Sequence, residues 1–292
     1  YNPITNPHLG DVPSKVKLLA DYICGTSAIE YVQNTQSLFT TRTHAGETGD
    51  NPQNGTIKIL EGENAPDTPQ YDVVLIQPQS TEYLHGATGR VSALQELMKS
   101  RNAAAPNVRF ILQQTWPRRD AATYNQICTT RGKNGQVGML DAIDRTILEL
   151  SQLVSTSFKV APTGSAFVEF ANLACPDILP TGDCAFDERV KCPIWFGETG
   201  KVSLFDQRVG EEGSHQSNEI GAWLAATVIY GTMQSDTPCF VSVTDLQAIM
   251  PPINEQDMAT IPSGLPIHEM ISNAAKFALE DRYGSLAECV PW

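Results

Sequence analysis

The sequence predicts an α/β fold in three layers, with helices on both faces of a mostly parallel central sheet. Short continuous apolar runs supply the first observation. Tyr71–Ile76 (Tyr-Asp-Val-Val-Leu-Ile) and Val108–Leu112 (Val-Arg-Phe-Ile-Leu) are rich in β-branched and aromatic residues and end in polar turn residues, the pattern of strands buried on both faces. Helical periodicity between such runs is the second. Val137–Thr156 places Leu140, Ile143, Ile147, Leu150 and Val154 on one face, and Val91–Arg101 is amphipathic in the same way. Strands that alternate with helices of this length are joined by crossover connections, and these build a parallel sheet.

Taken in order, residues 1–14 are rich in Pro, Asn and Gly and form an irregular arm ahead of a single domain spanning 15–292. Lys15–Cys24 is an apolar run that ends at Gly25-Thr26-Ser27. It reads as a strand feeding a tight turn and a helix over 28–36, although Asp21 is awkward in a buried strand and the whole piece also suits a helix. Residues 41–56 are polar and Gly-rich and read as a loop; Thr56–Leu60 alternates like a short strand. After the two strands and two helices described above, Phe158–Ala161 is the next strand, ended by Pro162. The cysteine-bearing stretch 172–200 reads as an insertion. Val202–Phe205 is a short strand or extended link, and Val243–Met250 and Ile267–Tyr283 are two further helices around a Pro-rich loop.

Composition bounds the function. The chain has 292 residues, 41% of them apolar and 18% charged, with a net charge of −13. That is globular composition with room for a sizeable core. No Lys/Arg cluster stands out, which excludes nucleic acid and anionic membrane surfaces as partners, and no apolar run is long enough to span a bilayer. The cysteines are Cys24, Cys128, Cys175, Cys184, Cys192, Cys239 and Cys289. None forms a Cys-x-x-Cys pair, so no metal site is expected. Cysteines beside turn residues suit disulfides and an oxidising compartment. Six can pair and leave Cys24 as a buried thiol, in a connectivity that spacing does not fix. The chain opens at Tyr1 without a signal-like segment, as a mature secreted protein or a trimmed chain does, and Asn54-Gly-Thr56 is an N-glycosylation acceptor pattern.

The stretch Ser203–Gly231 organises the chemistry. A polar turn leads through Glu212 and His215 to Ser217, a good N-cap, and then into a helix striped by Ile220, Leu224, Val228 and Ile229 and widened by Trp223, Ala225 and Ala226. An acid three residues before a histidine can bond one ring nitrogen and leave the other as a general base. A solvated surface loop is the plainer reading of the same residues. In an open α/β sheet, ligands bind beyond the carboxyl ends of the strands. The polar tips Gly25-Thr-Ser27, Gln77-Pro-Gln79, Thr115-Trp116 and Pro162-Thr-Gly164 should therefore gather on one edge, with His215 joining from its loop. His44 and His85 read as solvated loop residues, and His268 as a helix residue facing solvent.

With Gly25-Thr-Ser27 early and Glu212-Gly-Ser-His215 late, the chain resembles the SGNH (GDSL-type) hydrolases, a flavodoxin-like superfamily. Asp72–Ser80 is similar to the strand whose tip carries that family's oxyanion asparagine. Val160–Gly164 and Gly213–Ala226 look like segments of its carbohydrate-esterase-like branch. The resemblance covers most of residues 15–235. It implies a secreted serine esterase that removes acetyl or similar groups from carbohydrate, with no cofactor. Ser27 would attack the ester carbonyl, His215 would move the proton, and Glu212 would hold the imidazole. The Ser27 N–H, Gly46 and the Gln79 amide would meet the oxyanion. Trp116, beside Arg118, is either a sugar-stacking platform or a cover for the core edge. Three departures stand against the family pattern: Glu212 replaces the usual aspartate, Gln79 replaces asparagine, and Gly46 and Gly49 both suit the second glycine. They motivate the alternative of a catalytically inactive protein of the same fold. It would bind carbohydrate or serve as an assembly subunit that docks on a neighbouring copy through the N-terminal arm.

Overall fold

The computed structural model describes residues 42–44, 47–49, 73–77, 98, 108–117, 138–176, 204, 219–234, 237–250 and 263–289. The readings of the arm, of Lys15–Cys24 and the helix after it, and of Thr56–Leu60 lie outside the described residues. So do most of Val91–Arg101 and of Val202–Phe205; within them, Met98 is helical, and Met98 and Leu204 are both fully buried. The chain divides into two compact units. One comprises Tyr1–Val74, Ala87–Phe110 and Leu150–Phe158; the other comprises Leu75–Gly86, Ile111–Glu149 and Lys159–Trp292.

The first unit contains a hairpin where a loop was expected. β1 (Arg42–His44) and β2 (Glu47–Gly49) pair antiparallel, with Thr43 opposite Thr48. Neither strand carries an apolar alternation, so periodicity is silent here. The spacing is the available clue, since two residues separate the strands, as in tight hairpins.

The strands read from the runs Tyr71–Ile76, Val108–Leu112 and Phe158–Ala161 are present. β3 (Val73–Ile76), β4 (Arg109–Gln113) and β5 (Lys159–Ala161) form a sheet in the order β3-β4-β5. β4 and β5 run parallel, with Leu112 opposite Val160. Phe110, Ile111 and Leu112 are buried to 2% exposure or less, as expected of a strand covered on both faces. Between β4 and β5 lies α1 (Met139–Leu153). Its expected stripe is the buried one: Leu140, Ile143, Ile147, Leu150 and, just past its end, Val154.

In the second unit, α2 (Thr163–Ala174) follows β5 directly. Pro162 does end the strand, but it also opens a helix that was not expected there. Ala166, Phe167, Val168, Phe170, Ala171 and Ala174 are all buried, and the polar Ser165, Glu169 and Asn172 recur at helical spacing on the less buried face. The first residues of the stretch 172–200 form the last turn of α2, and 177–200 lie outside the described residues. α3 (Glu219–Met233) buries Ile220, Leu224, Ala225 and Val228 as expected, whereas Ala226 is exposed and Trp223 and Ile229 are half-buried. α4 (Val243–Ile249) is capped by Ser242, whose hydroxyl accepts from the Asp245 N–H at 3.2 Å.

The long helix α5 (Ile267–Tyr283) packs on both α2 and α3, which also touch each other. Its buried face includes Ala274, Ala275 and Ala278, small enough to let backbones approach. It ends at Gly284, whose φ of 84° suits glycine and whose N–H bonds the Glu280 carbonyl at 2.8 Å. Two short strands that the sequence did not announce, β6 (Cys239–Phe240) and β7 (Ala287–Glu288), pair parallel with each other. The Cys239–Cys289 disulfide locks this pair. Cys175 is disulfide-bonded too. Among the described residues, no helix is long and apolar enough to cross a membrane.

Candidate functional site

Because β4 and β5 are parallel, their carboxyl ends open on the same edge, and the polar residues after each strand meet there. Gln113 closes β4 and Gln114 and Thr115 continue from it, while Thr163 and Gly164 begin α2 after β5. Gln113, Gln114, Thr115 and Thr163 are at most 3% exposed. Buried polar groups of this kind need partners, and Gln114 supplies most of them. Its backbone N–H extends the ladder to the Ala161 carbonyl at 2.9 Å, and its carbonyl accepts from the Gly164 N–H at 3.0 Å and from the Thr163 hydroxyl. The side-chain carbonyl accepts from the Ser165 N–H at 2.8 Å, while the amide group donates to the Asp144 carboxylate on α1. Gln113 donates to the Thr163 hydroxyl at 3.3 Å.

This geometry caps α2 from outside. Pro162, its own N-cap, makes no side-chain bond, and the first N–H groups of a helix need acceptors. Gln114 provides two, one from its backbone and one from its side chain. Gly164 permits the close approach: a Cβ there would strike the Thr115 carbonyl and come within 2.9 Å of Leu140 Cδ1. The Arg282 guanidinium lies 3.8 Å from Asp144, which ties the end of α5 to the same network. One residue further, the Tyr283 hydroxyl accepts from the Val160 N–H at 2.8 Å and donates to the Val160 carbonyl at 2.7 Å. The Ala161 carbonyl faces β4, so by alternation Val160 faces away from it. A single hydroxyl thus serves the outward backbone pair of β5. Burial pushes the Tyr283 phenol above its ordinary value, against smaller opposing effects of the Val160 bond and Arg282.

Of the four strand tips expected on one edge, the structure brings together those of β4 and β5. The Thr115 hydroxyl there is buried without a hydrogen-bond partner. Gln77, after β3, is exposed. Ser27, Glu212, His215, Gly46, Gln79, Arg118 and the Asn54 acceptor lie outside the described residues. Trp116 is described: it is 8% exposed, and its ring stacks on Phe167 of α2 with centroids 4.8 Å apart. A ring so enclosed covers the core. The solvent-facing reading of His268 is corrected. It is half-buried, and desolvation lowers its pKa below the ordinary imidazole value. Among the described residues, no group of three His, Cys, Asp or Glu could hold a metal ion.

Sequence reasoning missed Gln114, Asp144 and Tyr283. The paired glutamines directly after an apolar strand were the available signal for the first. Asp144 and Tyr283 carry none, since their bonds to Gln114 and Val160 span 30 and 123 residues of chain.

No family model and no curated protein matches the chain. A solved structure does: a DUF4886 family protein from Bacteroides uniformis ATCC 8492, with a TM-score of 0.53, 16% identity, and coverage of 92% of this chain and 84% of that one. At that identity the likeness is one of fold, and it agrees with the mixed helix and strand and the parallel β4–β5 pair seen here.

Proposed function

We propose that the protein is a secreted serine esterase of the SGNH type, built as a three-layer α/β/α sandwich, that hydrolyses acyl esters, acetyl esters on carbohydrate first among them. Ser27 is the nucleophile, His215 the base and Glu212 its orienting acid, and the Ser27 N–H, Gly46 and Gln79 receive the oxyanion. The observation that supports this reading is the parallel β4–β5 pair with its polar tips joined at the carboxyl edge, where open α/β sheets carry their ligands. The sequence order of Ser27 and Glu212-Gly-Ser-His215 adds the chemistry. Disulfides fit an oxidising compartment.

A fluorophosphonate probe should label Ser27, and Ser27→Ala should abolish both labelling and the turnover of aryl acetates. An unlabelled, inactive wild-type chain that still melts cooperatively overturns the esterase reading. One observation favours the second reading, an inactive protein of the same fold used for carbohydrate binding or assembly. The β4–β5 tips are densely bonded to one another, and Trp116 is committed to Phe167. Under that reading Ser27→Ala leaves carbohydrate binding and assembly unchanged, while deletion of residues 1–14 dissolves any ordered polymer.

A further inference from the structure

We draw no further inference here: the strongest candidate, the buried Thr115 hydroxyl at the tip of β4 beside the opening turn of α2, belongs to the site already described, and Gln114 already occupies N–H groups of that helix turn.

Discussion

Gln114 holds three elements with its side chain and its backbone N–H and carbonyl, so its replacement should cost more than an average buried polar residue. Gln114→Ala orphans the Ser165 N–H and removes a partner from Asp144; a loss of about 2–4 kcal/mol is expected from two charge-assisted or buried bonds. The urea midpoint should fall with the slope unchanged. Gln114→Glu keeps the shape but sets a carboxylate against Asp144. Like charges this close raise the pKa of the pair, so the deficit of this variant should shrink as pH falls from about 7 towards about 4, where carboxylates ordinarily titrate, read as the difference in Tm from wild type. Tyr283→Phe leaves the buried Val160 N–H and carbonyl without their hydroxyl and should cost about 1–3 kcal/mol. Its pH signature follows from the raised phenol pKa. Stability from a group titrating higher when folded is complete below the unfolded value of 10.0 and is lost as pH rises through the folded value. Wild type should therefore lose stability above pH 10.0 more steeply than the Phe variant. His268 behaves in the opposite sense. Its folded pKa is lowered, so its contribution is present above 6.5 and lost on acidification, and His268→Gln should flatten the acid limb of a Tm profile. At this scale the sequence was least informative. Trp116 could be named as either platform or cover, but choosing between them needed Phe167, a residue on a helix that was not expected there.

Elements were legible where burial is one-sided or complete in a short run. α1 shows its core face because Leu140, Ile143, Ile147 and Leu150 alternate with exposed Arg145, Leu148 and Glu149. β3, β4 and β5 show themselves as apolar runs between turn residues. α2 was passed over although Ser165, Glu169 and Asn172 recur at helical spacing, because Pro162 reads equally as a strand end and a helix start. β1, β2, β6 and β7 are two or three residues long, too short for any period to register. Helix packing gives the test at this scale. Gly164→Ala adds a methyl against the Thr115 carbonyl and Leu140. Overpacking of this kind should cost about 1–3 kcal/mol. It should also change the near-ultraviolet circular dichroism of Trp116, because the shift moves α2, and Phe167 with it, against that ring.

The second unit is held by long-range links that no local pattern encodes. The number of cysteines and their turn context were enough to expect disulfides, but not to pair Cys239 with Cys289 across 50 residues. In the chain-entropy account, a closed loop of that length is worth about 4 kcal/mol. The Cys239→Ser/Cys289→Ser double variant should lose stability of that order in a denaturant titration. The proposed catalytic set was readable as an ordered series of motifs, and its activity rests on the Ser27 labelling experiment. The bond between Cys239 and Cys289 has a practical consequence for anyone handling the protein. A protease that severs the backbone anywhere between these two positions leaves both fragments covalently attached to each other. Such nicked material migrates as intact protein on a gel without thiol and separates into two bands once thiol is added, so a clean band under the first condition alone says nothing about integrity.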